Sequence, residues 1–388
     1  MNFLFSSLLC SNRLLSYLQE NAKIKPTYSV QKFFRLIAIG LIKNNSKVST
    51  ITSIPFSKKS INRLVFNIKS ESENHIHFHY AFSVNLPLLK NICVFINSLI
   101  YTLFWALKNK TGVILCDTLQ VSVCLGSLLA SKITGRDCIA IITDMPGYGA
   151  YNKGISLISK FMMLYINSFN KYILITKEMN ELVNKKKKPY LIIEGLVDYK
   201  MESGKNITDN QKKIILYAGG LYKKYGVKML TDAFIKLKNK SAELHLYGKG
   251  DMVQYIQQKT KSNKNIIYYG VMDNKIIVND ELKAFLLVNP RYTSEKLTRY
   301  SFPSKNMEYM VSGTPVLTTN LSGMPEEYKK YVYLINDETV EGLTKSFEHI
   351  LKLPGEEVIK KGLNAKKFVL ENKNNIIQTK KILDFLNK

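Results

Sequence analysis

Apolar positions along this chain fall into two kinds of run. Short continuous stretches rich in β-branched and aliphatic residues alternate with longer segments whose apolar positions recur every three or four residues. In the first half, residues 1–10, 112–116, 138–143, 172–176 and 190–193 are predicted strands. Helices are predicted between them at 119–132, 155–169 and 177–184. A polar stretch, 199–213, has the composition of a linker or long surface loop. The alternation then resumes. Strands are predicted at 213–218, 242–247, 265–269, 284–288, 316–319 and 331–335, and helices at 227–237, 252–259, around Ser304, 339–351 and 355–386.

Uninterrupted apolar strands separated by helices imply parallel strands covered on both faces. The expected fold is therefore α/β, with two doubly wound Rossmann-like parallel-sheet domains facing across a cleft. The first domain is expected over 1–198, a linker over 199–212, and the second domain over 213–370. A C-terminal helix over 371–388 is expected to pack back on the first domain.

At 388 residues with 46% hydrophobic content, the chain is too long for one ordinary domain and too apolar for global disorder. Its formal net charge of +26 favours anionic partners: lipid headgroups, a phosphorylated acceptor or nucleic acid. Abundant Lys, Asn, Ile and Tyr give part of that charge a purely compositional origin. The run Lys185–Lys188 is read as a solvated helix end. Cys10, Cys93, Cys116, Cys124 and Cys138 lie on apolar segments without a C-x-x-C spacing, as reduced cysteines of a cytosolic protein do. The first ten residues lack a basic leader and read as a core strand rather than a signal peptide. Residues 91–107 and 155–169 are strongly apolar and are read as buried or surface-lying helices rather than membrane spans, with interfacial insertion left open.

Candidate chemistry concentrates in Ser301–Val316, SFPSKNMEYMVSGTPV. Pro303 is expected in the first turn of a helix with Ser301 as its N-cap, and Gly313 as its C-terminal stop. Free N–H groups at Ser304 and Lys305, with the lysine charge, suit a phosphate. Glu308 falls inside this helix beside its apolar face, a costly place for an unpaired carboxylate. Small or polar loops follow the strands at 218–221, 248–251, 270, 289–291, 144–147 and 194–195. Gly219 and Gly220 would allow a ligand close to the backbone; ordinary turn chemistry is the competing reading of each loop taken alone. Asp144 is the candidate acceptor-side carboxylate, with capping of the next turn as its alternative role, and Asp117 is a weaker version. His75, His77 and His79 alternate along one strand and are read as a hydrogen-bonded sheet edge rather than a metal site. No Asp-x-Asp occurs, so no metal is inferred.

These residues resemble the glycosyl transferases group 1 family, retaining GT-B enzymes. The resemblance rests on "YAGGLYKKYGV", "LHLYGKGD", "IIYYGVMD" and "SFPSKNMEYMVSGTPVLTTNLSGMPEEY", in the family's order, and is closest to bacterial surface-polysaccharide members. It implies that Glu308 holds the ribose hydroxyls of a nucleotide sugar. It also implies that Ser304, Lys305, Gly219 and Gly220 surround the diphosphate, with Gly248, Gly270 and Tyr300 at neighbouring family positions. Three departures stand out: Tyr300 replaces the family's second glutamate, and Gly220 and Tyr225 replace its usual Arg and Lys. Diphosphate neutralisation is then expected from Lys223, Lys224, Arg291 and Lys305.

The expected reaction is sugar transfer with retention from a nucleotide-diphosphate sugar to a lipid-linked saccharide, without cofactor or metal. Asp144, Lys305 and Arg291 would serve the chemistry, and nucleic acid is not an expected partner. The expected location is the cytoplasm, peripheral to the inner face of the cell membrane. A non-catalytic lipid- or glycan-binding protein and a nucleotide-sugar epimerase are the alternatives.

Overall fold

The computed structural model of the protein describes residues 1–26, 28–57, 59–145, 157–201 and 212–387. Pro146 and Gly147, the start of the predicted helix 155–169 and most of the stretch 199–212 lie outside the described residues. The chain forms two compact units, one of residues 1–196 and 375–388, the other of 197–374.

The first unit is built on β1 (Asn2–Ser7), β2 (Lys47–Thr52), β3 (Val65–Phe66), β4 (Glu71–Glu73), β5 (Ile76–Tyr80), β6 (Ser83–Val84), β7 (Val113–Asp117), β8 (Cys138–Ile142), β9 (Lys171–Leu174) and β10 (Tyr190–Ile192). Eight of these form one sheet in the order β10-β9-β8-β7-β1-β2-β5-β4, parallel except at the β4–β5 edge pair. Continuous apolar runs make its centre: every residue of β7 and β8 is buried. The helices are α1 (Asn12–Asn21), α2 (Tyr28–Lys43), α3 (Pro87–Lys108), α4 (Val121–Thr134), α5 (Leu157–Ile166) and α6 (Lys177–Val183). Ser11 starts α1 by accepting the Leu14 amide at 3.0 Å.

In the second unit, β11 (Lys213–Ala218), β12 (Ala242–Tyr247), β13 (Ile266–Gly270), β14 (Leu286–Asn289), β15 (Val316–Thr319) and β16 (Tyr333–Ile335) form an all-parallel sheet ordered β13-β12-β11-β14-β15-β16. Its helices are α7 (Val227–Leu237), α8 (Val253–Ser262), α9 (Asn274–Lys283), α10 (Ser304–Ser312), α11 (Glu326–Lys329), α12 (Val340–Lys352) and α13 (Gly355–Asn372).

The last helix, α14 (Asn375–Leu386), returns to the first unit. A Cβ at Gly40 would lie 2.2 Å from the Asn375 carbonyl oxygen, so glycine there lets α14 sit directly on α2. Asn375 Nδ2 donates to the Leu36 carbonyl at 3.2 Å, and Ile382 enters the first unit's core.

Two expectations need correction. The helix predicted over 355–386 is broken between α13 and α14. There Asn374 forms a bridge with Val197, whose amide donates to the Lys373 carbonyl at 3.0 Å. Helix α9 is absent from the sequence prediction. Its Ile276-Ile277-Val278 run is β-branched, which weakens the local helix signal.

Both sheets reverse strand order once near the middle, between β1 and β7 in the first unit and between β11 and β14 in the second. In open α/β sheets that reversal opens a crevice at the carboxyl ends of the strands, where ligands bind.

Candidate functional site

At the second unit's reversal point, β11 ends at Ala218 and β14 at Asn289, each followed by a loop. The Tyr309 hydroxyl of α10 fixes the first end, accepting from the Ala218 amide at 3.0 Å and donating to its carbonyl at 3.3 Å. A Cβ at Gly219 would fall 2.5 Å from Lys305 Cε and 3.1 Å from Nζ. Glycine is thus needed there because the lysine side chain lies across the strand end. On the other side, a Cβ at Gly248 (φ +127°) would strike the Gly219 carbonyl at 1.8 Å. The Gly248 amide donates to the Gly270 carbonyl at 2.7 Å, and Tyr217 Oη donates to the Gly220 carbonyl at 2.9 Å. Gly248 and Gly270 therefore hold backbone against backbone, which sets the position of the Gly219–Gly220 loop.

Helix α10 begins two residues later than expected. Pro303, not Ser301, is its N-cap, and contributes no side-chain cap. Proline offers no side-chain acceptor; its carbonyl accepts from the Asn306 amide at 2.9 Å, and the Ser304 and Lys305 amides get no side-chain partner from the cap. Gly313 ends the helix at φ 80°, as expected. Met307, Met310 and Val311 are buried, whereas Ser304 and Glu308 are exposed one turn apart on the same face. The sequence expectation that Glu308 is held beside the apolar face is therefore wrong: position 308 falls on the open side of the helix.

Lys305 is half-buried, and burial pushes its amine below the usual lysine range. The Arg291 charge pushes the same way, while the carboxylates of Glu308 and Glu281 oppose both. Glu281, on the unexpected helix α9, is 6% exposed. It escapes the sequence reading together with its helix.

Arg291, just beyond β14, lies with its guanidinium 4.5 Å from the Tyr225 ring centroid. Its Nε is buried without a hydrogen-bond partner among the described residues, while its carbonyl accepts from Thr319 Oγ1. A buried, unsatisfied cationic donor is costly and marks a place for an anion. Lys224 lies 5.4 Å from the same Tyr225 ring. Tyr225 thus gathers two of the expected cations, at a position where the family resemblance implies lysine. Tyr300 is half-buried at the end of the 3-10 turn Lys296–Tyr300, just before α10.

The first unit's reversal point holds a cavity of about 520 Å³ lined by Leu8, Ser53, Ser57, Lys90 and Gln120 among others. Lys90 donates to the carbonyls of Ile54 (3.3 Å) and Phe56, and lies 4.0 Å over the Phe56 ring. Burial pushes its amine down to about 8. Asp117 ends β7 at 1% exposure, with Oδ1 accepting from the Leu119 amide at 3.2 Å and Oδ2 without a hydrogen-bond partner among the described residues. Burial pushes its carboxyl up to about 7, and the charge of Asp144 adds to the shift. Asp144 itself is exposed beyond β8. The weaker of the two sequence candidates is thus the more perturbed group. His77 and His79 bond Ser72 and Ser70 at 3.1 and 2.9 Å across the sheet edge, and no metal-binding cluster occurs among the described residues.

Residues 198–368 match the family described as Glycosyl transferases group 1. Among solved structures, sucrose-phosphate synthase from Thermosynechococcus elongatus superposes with a TM-score of 0.66 at 12% identity, over 100% of this chain and 98% of the other. The lipopolysaccharide outer core galactosyltransferase WaaB gives 0.62 at 13% identity over 100% and 99%. Anabaena HepE in complex with UDP and glucose gives 0.63 at 13% identity, again over 100% and 99%. Likeness at these identities carries the fold alone, and no curated protein matches the sequence. The two Rossmann-like units are those of the GT-B fold, and residues 198–368 are a domain of the Glycosyl transferases group 1 family.

Proposed function

We propose that this protein transfers a sugar, with retention, from a nucleotide-diphosphate donor to a lipid-linked saccharide during cell-surface polysaccharide synthesis. One observation carries the reading. Lys305 and Arg291, the latter with an unsatisfied buried Nε, lie at the second unit's reversal point beside the start of α10, which has no side-chain cap. That is a seat for a diphosphate, and the family match over the same residues supports a sugar attached to it.

In the reaction, the bond from the anomeric carbon to the diphosphate oxygen breaks. The acceptor hydroxyl bonds the same carbon on the same face, and its proton passes to the departing diphosphate oxygen. Negative charge grows on the diphosphate as the bond breaks, so preplaced cations and N–H dipoles lower the barrier more than they strengthen ground-state binding. Glu308, exposed one turn into α10, is within the same opening as Ser304 and serves the ribose hydroxyls. Stacking of Arg291 on Tyr225 compensates for the absence of a lysine at 225. The reaction as proposed needs no metal. The enzyme is placed at the inner face of the cell membrane, where a lipid-linked acceptor is available.

The test is a thermal-shift series with nucleotides and nucleotide sugars, followed by transfer from labelled UDP- and GDP-sugars. A donor that binds only the folded protein raises its melting temperature. Absence of any shift, with no sugar released or transferred, would overturn the reading. A shift without transfer would favour the non-catalytic alternative.

A further inference from the structure

Helix α3 is built inside out. Its buried residues are Val94, Ser98, Thr102, Trp105 and Ala106. Three of those five are small or hydroxylated, and they meet similar residues of α4. Thr102 Oγ1 and Ser127 Oγ are 3.0 Å apart, and a Cβ at Gly126 would fall 2.0 Å from Ser98 Oγ. Small residues on the packing side allow close approach of two helices, an arrangement typical of helices whose other face meets lipid.

The large apolar side chains point the other way. Leu88, Ile92, Ile96, Ile100, Phe104 and Leu107 are all between 45% and 80% exposed. Their spacing of three or four residues makes one continuous stripe along a helix 22 residues long. Ile133 of α4 and Leu164 of α5 are exposed as well, at 64% and 70%. Only 22% of the most apolar stretch of α3 is buried in the protein. Water is a poor partner for such a face, and contiguous apolar exposure of this kind marks an interaction surface.

The surrounding charges favour one occupant over others. Helices α3, α4 and α5 contain no Asp or Glu; Lys90 is turned inward onto the Ile54 and Phe56 carbonyls, and the helices also carry Lys108, Lys132 and Lys160. Asp137, the first acid after α4, is paired with Lys171 at 3.1 Å. Arg136 Nε reaches the Ala106 carbonyl near the end of α3 at 3.4 Å. Lys188 is pushed below the usual lysine range by burial, then by the nearby charges of Lys186 and Lys132. In the Lys185–Lys188 run, read from sequence as a solvated helix end, Lys185, Lys186 and Lys187 are exposed, while Lys188 Nζ donates to the Asn167 carbonyl at 2.9 Å and to that of Phe169. An apolar stripe with a basic rim matches an anionic bilayer surface. It does not suit a second copy of the same face, whose rim would repel it. At its other end, α3 contributes Lys90 and Asn91 to the 520 Å³ cavity, next to exposed Leu88 and Leu89.

We infer that α3 lies in the headgroup–acyl boundary of an anionic membrane, with its Leu88–Leu107 stripe inserted and the rim lysines on the lipid phosphates. The helix does not cross the bilayer. Its inner face remains tied to the domain, with Tyr101 stacked on His79 at 4.1 Å and Trp105 covering Gly112. The inference rests on the membrane location proposed above, but not on sugar transfer.

The experiment is flotation of the full chain with phosphatidylglycerol or phosphatidylcholine vesicles at low and high salt. Wild-type protein should float with phosphatidylglycerol at low salt and bind less with salt or phosphatidylcholine. The combined variant Ile96→Ser, Ile100→Ser, Phe104→Ser alters exposed positions only. It should bind about a hundred-fold more weakly with an unchanged melting temperature. Lys108→Gln with Lys132→Gln should weaken binding to phosphatidylglycerol roughly thirty-fold and leave that to phosphatidylcholine unchanged. The inference is overturned if wild-type protein stays with the soluble fraction at low salt, or if the serine variant floats as well as wild type. A wild-type dimer that the serine variant makes monomeric, without vesicle binding, would overturn it in favour of self-association. Nucleotide thermal shift on the same samples shows separately whether the donor site is intact.

Discussion

The two units share an architecture but place their reactive groups differently. In the second unit two cations are held against glycine backbone and an aromatic ring, with the carboxylates of Glu308 and Glu281 nearby: Lys305 lies across Gly219, and Arg291 is stacked on Tyr225. In the first unit the corresponding strand ends carry carboxylates, one of them, Asp117, almost fully buried and half-satisfied. A crevice with cations and helix N-terminal amides suits a dianionic leaving group. The first unit instead presents a perturbed carboxylate at a strand end, and a cavity lined by Ser53, Ser57, Ser60 and Lys90. The same fold therefore presents different groups at each reversal point, and the difference lies in a few loop residues rather than in the sheets.

The largest effect that separates the units is expected at Lys305. Lys305→Ala should lower turnover about 10²–10³-fold, the usual cost of removing one donor that stabilises a growing anion. Nucleoside affinity should fall far less. Equal losses in nucleoside binding and in turnover, measured by calorimetry and steady-state kinetics, would make Lys305 a packing residue and erase the contrast.

Asp117 tests the other side. Its folded-state carboxyl titrates at about 7 rather than at the ordinary value of 3.8. Between those values the folded protein binds more protons than the unfolded chain, so stability falls as pH rises through that window. The contribution is fully present below about 3.8 and lost as pH passes 7. Between about pH 5 and about pH 8 the loss amounts to about 2–3 kcal/mol. Asp117→Asn, which has no charge to bury, should flatten that part of the pH–stability curve. Urea unfolding at the two pH values measures it, and an unchanged slope in the variant would place the effect elsewhere.

Legibility from sequence follows the same divide. In the second unit, apolar runs ending in Gly or Pro mark strands, helices and loops, and Lys305, Arg291 and Gly219 can be named from that pattern. What escapes is set by tertiary packing. Glu308 lies on the open face of α10 because Met307 and Met310 take the inward positions. Glu281 is hidden because α9 has a β-branched sequence that does not announce a helix. In the first unit, Asp117 reads as weaker than Asp144 because nothing local tells how deeply a strand end is buried. The apolar segment 91–107 is plain in the sequence, yet periodicity alone does not say that its large side chains face outward. That orientation depends on Gly126 and Ser127, which belong to a different helix.

Glu308→Gln is the next step down in size. In the role proposed for it, an exposed carboxylate on the ribose hydroxyls, Glu308 should contribute to donor binding far more than to folding. The variant should fold with an unchanged melting temperature and bind donor about ten-fold more weakly. A loss of unliganded stability of about 1 kcal/mol or more, the worth of an ordinary intramolecular hydrogen bond, would show that its work is with protein neighbours instead.

The smallest expected effect concerns Tyr225. Its ring holds Arg291 at 4.5 Å and Lys224 at 5.4 Å, so two cations gather on one aromatic side chain. A half-exposed cation–π contact is worth about 0.5–1 kcal/mol. Tyr225→Leu keeps an apolar side chain but removes the quadrupole. It should weaken diphosphate-containing ligands roughly three- to five-fold while leaving nucleoside alone unaffected. Tyr225→Lys supplies a charge directly but leaves Arg291 without its platform. If the lysine variant binds donor as well as wild type, the charge matters and its carrier does not. If it binds worse than the leucine variant, repulsion between the introduced amine and Arg291 outweighs the added charge, and the tyrosine is there to order the cations already present. Isothermal titration with UDP, GDP and uridine distinguishes these outcomes.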